Sequence, residues 1–446
     1  MAEEKVLKRS KIGMEVELAL LDKDGKMSNE APKVIKKVKK QHPKINIYKE
    51  IGHNMLELGC FPHVETHGPA FEMLNSTEIV NEIVEKLDLR LFSFGSYPGT
   101  FERSYNREPK YQIKEKILGK EKAEKALNSF GFHCHYTLPK GVFDPVTKYV
   151  KILKNSKIAR SMVGSYNLAI AADPALVVFS QSSPFSENNH LAKDMRVMLY
   201  RGGRKLHTNL GLYSNHQQFA GLPPYKQTLQ DLLHSVKRRT IKWFQLVKKA
   251  DPKTKPSDIY PYPLDISWNP VKINKLGTLE QRGMDTNLPS INFANMILYK
   301  YAMRKIQREF IQVLPTDHGL ANAFKIEDNM LFIPPHTTVR NRLQKASVYQ
   351  GFRNKELHSY AKKFYKFAKN ATPKKFHPLI KPIEEMIDSK KSTADKLLDY
   401  AKRKGLMTDD NKLRDSDAQE IALYSASMLK PDIKKARKNL SKLMDL

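Results

Sequence analysis

Along residues 11–21 apolar side chains run almost unbroken, and polar groups intrude only at alternate positions. That pattern predicts a strand. Residues 54–61 and 130–138 read the same way, the second closed by Pro139 and Gly141, and 278–283 is a shorter strand. The period changes at Thr77. Ile79, Val80, Ile83, Val84 and Leu87 share one face of a helix over 77–91, with Asn75 or Ser76 placed to cap it. Residues 158–220 begin helical and then turn into a long polar stretch rich in Ser, Asn and Gly. After Pro289 the pattern is helical: 293–314, 340–349, 355–369, 380–388, 394–404 and 418–428. Ser392 with Asp395 three residues on reads as a capping box with Asp in place of Glu. Strands first and helices last predict an α+β fold. Internal repeats and low-complexity linkers are absent, and 430–446 reads as a short, basic, loosely attached tail.

Composition narrows the picture. The 446 residues are 40% hydrophobic, enough for a sizeable core. The two cysteines, Cys60 and Cys134, make neither a disulfide framework nor a CxxC zinc ribbon. Cys134 alternates with two histidines and reads as core packing. The opening Met1-Ala2-Glu3-Glu4-Lys5 lacks the apolar segment of a secretory leader, and no run of about 18 apolar residues is present, residues 166–179 being broken by Asp173 and Pro174. The expectation is a cytoplasmic protein with no membrane partner. With 77 Lys+Arg against 47 Asp+Glu the net charge is +30. The lysines are dispersed, which reads as a solvated surface attractive to small anions, with nucleic acid as the competing partner.

The familiar phosphate loops GxxxxGK[ST] and GxGxxG are missing, as are HExxH and GxSxG. An ATP-using chain of this kind would have to hold phosphates with metal ions and side chains. Such side chains do recur, at alternate positions. Glu15 and Glu17 share one face of the first strand, opposite Met14, Val16 and Leu18. His133 and His135 share a face of another, opposite Phe132, Cys134 and Tyr136. Glu280 and Arg282 do the same in Thr278-Leu279-Glu280-Gln281-Arg282, and Glu57 stands among apolar residues seven positions after Glu50. Taken singly, these are exposed strand faces, satisfied histidines or surface ion pairs. If the faces converge, five carboxylates and one or two histidines meet, a cluster that needs cations. Oxygen ligands with an occasional imidazole suit Mg²⁺ or Mn²⁺, and Arg282 suits a phosphate.

These residues carry a resemblance. The chain resembles the carboxylate–amine ligase family that includes the second type of glutamate–cysteine ligase, which has the glutamine synthetase-like fold. The segments are Gly13-Met14-Glu15-Val16-Glu17, the Glu50–Glu57 interval, Gly95-Ser96-Tyr97-Pro98 with Tyr97 where the family has His, and Gly131-Phe132-His133-Cys134-His135. Further on come Arg196 with Asp194 where the family has Ser, Gly221-Leu222-Pro223-Pro224, Thr278–Arg282 with Asp285 and Thr286, and Ala394-Asp395. The order of the segments spans residues 11–405. The resemblance implies a curved antiparallel sheet with helices packed on one side, one catalytic domain over 1–429 and the tail beyond it. It implies ATP and Mg²⁺ (or Mn²⁺) as cofactors. Glu15, His133 and Glu280 would hold one metal ion, and Glu17, Glu50 and Glu57 another. Arg282 and Arg196 would be catalytic and, with His135, would contact the nucleotide. The implied reaction is phosphorylation of the γ-carboxylate of glutamate and its joining to an amine, cysteine foremost, as in glutathione biosynthesis. A different amine, or a basic nucleic-acid-binding protein on a ligase-derived scaffold, are the alternatives. Partners would be small molecules, with self-association as a further option.

Overall fold

The computed structural model describes residues 10–151 and 156–444. The opening residues read for a leader lie outside them. The strands that matter are β1 (Ile12–Leu21), β2 (Ile47–Lys49), β3 (Met55–Gly59), β4 (Arg90–Phe92), β5 (Gly131–Thr137), β6 (Val271–Asn274) and β7 (Thr278–Asp285). They form one antiparallel sheet in the order β2-β3-β1-β5-β7-β6, with β4 also paired to β1. An antiparallel sheet of largely non-sequential neighbours, with a run of helices following in the later half of the chain, is an α+β arrangement, as expected.

The helices are α1 (Ala31–Gln41), α2 (His67–Glu85), α3 (Pro109–Leu118), α4 (Lys157–Ser180), α5 (Met195–Tyr200) and α6 (Leu229–Ala250). The later set is α7 (Pro289–Glu309), α8 (Lys355–Ala371), α9 (His377–Ser389), α10 (Thr393–Arg403), α11 (Asp415–Ser427) and α12 (Leu429–Met444). The apolar face of the sheet (Met14, Val16, Leu18, Phe132, Cys134, Tyr136, Leu279) is buried in the main core, where α4 packs on β7 and α7 on β5. Cys134 is core packing. The Ser392–Asp395 capping box is formed, and Asp395 also pairs with the buried Lys193.

Three sequence readings change. The helix expected over 77–91 begins at His67 and ends at Glu85. Asn75 and Ser76 therefore lie inside it, and Thr77 satisfies its hydroxyl by donating to Met73 O at 2.8 Å. The helix expected over 293–314 stops at Glu309, where Phe310 turns left-handed (φ 51°), and residues Gln312–Pro315 become a strand. The tail at 430–446 is not loose. It is mostly α12, whose Leu429, Ile433, Ala436 and Leu440 sit in the main core while its lysines face solvent. Charge hid that amphipathic stripe.

One helix among the described residues, α4, is long and apolar enough to cross a membrane by length and composition. Its whole apolar window is buried inside the fold. It runs through Asp173 and Pro174 without breaking. Asp173 is fully buried and is matched by Arg201, whose Nη1 and Nη2 reach its two oxygens at 2.7 and 2.9 Å. Gln281 on β7 donates to the same carboxylate at 3.0 Å.

Candidate active site

Strand pairing builds the site. Glu17 lies opposite Glu57 in the β1–β3 register, Glu15 opposite His133 in β1–β5, and His135 opposite Glu280 in β5–β7. Lys272 on β6 lies opposite Glu280 in turn. Side chains of directly opposed residues share a face, so one row of ionisable groups crosses five strands. Of the nine residues predicted for the site, eight line a single cavity of about 430 Å³: Glu15, Glu17, Glu50, Glu57, His133, Arg196, Glu280 and Arg282. His135, expected to contact nucleotide, does not line it. It is buried behind Glu15, with Nε2 3.1 Å from Glu15 Oε2 and Nδ1 3.0 Å from Thr278 Oγ1.

The groupings also differ in one member from those expected. Glu17, Glu50 and Glu57 bring ligand atoms within 4.8 Å of one another, as the sequence reading had it. Glu15 and Glu280 meet His135 at that range, whereas His133 meets Glu15 and Glu57. The register explains the exchange, since His135 rather than His133 pairs with Glu280. His133 Nδ1 is 3.1 Å from Glu15 Oε2, and its Nε2 is 3.7 Å from Glu17 Oε1.

A bulge sets the far side of the site. Cys134 pairs with Gln281 and Phe132 with Met284, so Arg282 and Gly283 together oppose His133. The extra residue returns Met284 to the core face while Glu280 and Arg282 stay on the cavity face. Gly283 has no room for a side chain: a Cβ would lie 2.2 Å from Arg201 Nη2 and 2.4 Å from Asp173 Oδ1. Gly131 is constrained in the same way from the cavity side. A Cβ there would meet Arg196 Nη2 at 2.2 Å, and its amide donates to Glu17 Oε2. Asp194 is the N-cap of α5, accepting from Val197 N at 2.7 Å, and so fixes the helix that carries Arg196. Tyr97 is structural: buried in an aromatic cluster with Phe92 and Phe101, it donates to Gly25 O at 3.0 Å.

The electrostatics divide the acids into two kinds. Burial pushes the Glu50 carboxyl up to about 7, with Glu17 adding to the effect. Burial, then Glu15, Glu50 and Glu17, drive Glu57 well above the usual carboxylate range. On the other side burial also opposes ionisation of Glu280, but Lys272, Arg282 and the histidines outweigh it and hold its pKa down. Glu15 is likewise buried, yet His135 and then His133 hold it well below its ordinary value. Glu280 Oε1 accepts from Arg282 Nη1 at 3.3 Å, and its Oε2 accepts from Asn274 Nδ2 at 2.6 Å. The donor set fits a divalent cation. Three acids crowd with one another, and the buried His133 Nε2 and His135 Nε2 make no well-aligned hydrogen bond, each facing a carboxylate, Glu17 at 3.7 Å and Glu15 at 3.1 Å.

Sequence reasoning missed the rest of the cavity wall. Asn274 lines it, and Lys272, 3.8 Å from Glu280 Oε2, supports it without lining it; the two stand two apart in Val271-Lys272-Ile273-Asn274, a detectable alternation in a strand too short to stand out. Lys110, Tyr111 and Lys114 come from α3, and Trp268 from the loop before β6. Lys114 lies 4.2 Å over the Trp268 ring. Trp268 stacks in turn on Tyr213, with centroids 5.3 Å apart.

Residues 11–201 match the sequence profile of glutamate–cysteine ligase family 2, a span that carries β1 to β5 and Arg196 but not β6 or β7. No curated protein matches the chain. Among solved structures it is similar to a glutamate–cysteine ligase from Francisella tularensis in complex with AMP. That likeness has 12% identity and a TM-score of 0.59 over 98% of this chain and 93% of that one. It is similar as well to a bifunctional glutathione synthetase from Pasteurella multocida, at 13% identity and a TM-score of 0.51, covering 95% of this chain and 52% of that one. At such identities these likenesses show the fold. The resemblance read from the sequence therefore holds as far as it is matched: residues 11–201 fit the profile of glutamate–cysteine ligase family 2, and the chain shares its mixed helix and antiparallel-sheet fold with a glutamate–cysteine ligase.

Proposed function

We propose that this chain is an ATP- and Mg²⁺-dependent ligase that phosphorylates the γ-carboxylate of glutamate and joins it to an amine, cysteine being the first candidate. The observation that carries the reading is the row of acids and cations along one cavity wall. Carboxylate groups from β1, β3 and β7 face the same space as two guanidinium groups, Arg196 and Arg282.

Glu17, Glu50 and Glu57 would hold one divalent cation and Glu15, Glu280 and a histidine another. When bound, Mg²⁺ neutralises phosphate oxygens and polarises the transferred group. The chain's own residues do the rest. Arg282 is held by Glu280 and presents its guanidinium to the cavity, where it can fork two oxygens of a phosphoryl group. Arg196 approaches over the bare Cα of Gly131. Lys114 loses much of its ammonium character to burial and then to Arg282 and Lys110, which hold it near 7. It stands in the wall at a place suited to receive the proton of an attacking amine.

The aromatic part of the wall, formed by Trp268, Tyr213 and Tyr260, favours a second reading in which the same chemistry serves a larger or aromatic amine. The reading places the protein in the cytoplasm, where ATP and free Mg²⁺ are supplied. The test is phosphate release from ATP with Mg²⁺ and glutamate, with cysteine and a panel of other amines. Glutamate-dependent release that rises with one amine supports the reading. An absence of glutamate-dependent release with every amine removes it.

A further inference from the structure

The segment Gly221-Leu222-Pro223-Pro224, which the reading of the active site leaves without a role, forms one side of a second cavity of about 360 Å³. None of its lining residues lines the catalytic cavity, and none is an acid. Five are cations: Lys226 after the Pro-Pro turn, Arg238, Arg239 and Lys242 on α6, and Arg340. Arg340 lies in a π-helical turn, Val339–Leu343, inside the irregular helix over 336–349. Such turns gather at functional sites.

Lys226 is the informative member. Its residue is 8% exposed, and among the described residues its Nζ makes no hydrogen bond or ion pair. Burial pulls its pKa down to about 8, and Arg239 and Arg238 add to the fall. The Nε of Arg239 is also buried without a hydrogen-bond partner. Buried cations are ordinarily paired. Lys226 has only the more distant Asp231 acting to favour its charge, Arg239 has the Tyr166 hydroxyl beside it, and neither has a carboxylate in contact. Asn167 clamps the Lys226 backbone from both sides, accepting from its amide at 2.8 Å and donating to its carbonyl at 2.7 Å. Asn269 fixes the other end of the loop by donating to Gly221 O at 2.6 Å. A rigid concavity with several converging cations and no carboxylate is built for an anion.

We propose that this cavity is a second anion site, separate from the catalytic one, that takes a small molecule carrying two or more phosphate groups. A volume of this size holds a diphosphate, one phosphate group engaging Lys226 and Arg239 and the other Arg238, Lys242 and Arg340. The site adjoins the catalytic cavity through consecutive residues. Asn269 lines the second cavity and Trp268 the first, and Pro270 O accepts from the amide of Arg282 at 2.8 Å. Occupancy is thereby positioned to be felt at Arg282.

The test is calorimetric titration of the full chain with inorganic pyrophosphate in the absence of Mg²⁺. Wild type, Lys226→Gln, Lys226→Gln/Arg340→Gln and Arg282→Gln are compared. Wild type and Arg282→Gln should bind. Lys226→Gln should bind at least tenfold more weakly, and the double variant more weakly still. The unliganded melting temperature of Lys226→Gln should be no lower than that of wild type, because the variant removes an unpaired buried charge. Should Lys226→Gln not fold, Arg238→Gln/Lys242→Gln on the exposed side of α6 should weaken binding several-fold. Wild-type affinity in the Lys226 variants, no binding to wild type, or a loss confined to Arg282→Gln would each overturn the proposal. So would a single-stranded RNA that binds in preference to pyrophosphate and is lost with Lys226→Gln, since the cavity would then serve nucleic acid.

Discussion

Glu17 and Glu57 face each other directly across adjacent strands, and Glu50 joins them within the reach of a single ion. Like charges placed directly opposite on a sheet destabilise it, so the metal-free fold carries a cost that a bound cation removes. Replacing Glu57 by Gln should leave the metal-free melting temperature unchanged or raised by roughly 1–3 °C, while Mg²⁺-dependent turnover is lost. Scanning fluorimetry beside an ATP-turnover assay reads both quantities. Near-normal turnover would make Glu57 an ordinary solvated carboxylate.

The same crowding gives a pH dependence with a definite sign. Glu50 is raised from its ordinary 4.5 to about 7, so the native state keeps a proton that the unfolded chain releases between those values. Stability from this group falls as pH rises through that window. His135 is raised as well: burial works to lower it, but Glu15 overrides that, and its contribution is lost as pH rises through its native value. Lys114, held near 7, works in the opposite direction, its contribution growing as pH rises above that value. The acids are therefore read by difference: metal-free wild type should lose more melting temperature from pH 6 to pH 8 than Glu50→Gln does. Mg²⁺ competes with the same protons, so the stabilisation it gives should be larger at pH 8. Equal Mg²⁺ shifts at the two values would show that the acids do not share a cation.

Arg282→Lys should reduce kcat by at least tenfold, about 1.4 kcal/mol, with a smaller effect on KM. Lysine keeps the charge but not the fork that grips two oxygens, and a contact strengthened in the transition state is lost from kcat. If Arg282 only pairs with Glu280, kcat should stay near normal and the variant should show a small, salt-sensitive loss of stability instead. Steady-state kinetics with melts at low and high salt separate the two outcomes.

Arg201→Met should cost about 3–5 kcal/mol, because it leaves the carboxylate of Asp173 buried without its cation. Asp173→Asn/Arg201→Met should recover part of that loss. Chemical denaturation of the two variants measures the difference, and a cost below about 1 kcal/mol would mean that water reaches Asp173.

Much of the site was legible because strand parity is a local rule. Glu15 with Glu17, His133 with His135 and Glu280 with Arg282 each declare a face within three residues, and all but His135 reach the cavity. The exchange of His133 for His135 beside Glu280 was not legible, since register between strands is a tertiary property. Lys272 hid in a four-residue strand. Lys110, Tyr111 and Lys114 hid on α3, which only the finished packing turns toward the acids. In the fold, α2 was misplaced because Asn75, Ser76 and Thr77 look like a helix start, yet Thr77 bonds back along the helix it sits in. The α12 stripe of Leu429, Ile433, Ala436 and Leu440 was obscured by the lysines between its members.

The strand order also dictates how the chain must be assembled. After Thr137 has been synthesised, β1, β3 and β5 can already associate, but one edge of β5 waits until Thr278 and its successors arrive. Through that interval a strand of Phe132, Cys134 and Tyr136 offers unpaired amides and carbonyls to any passing segment. A fragment of residues 11–201, the stretch that matches the family profile, lacks the partner of that edge. Expressed alone it should therefore fail to fold and should aggregate. Sheet closure by so distant a strand makes folding slow and places the completion of the active site near its end.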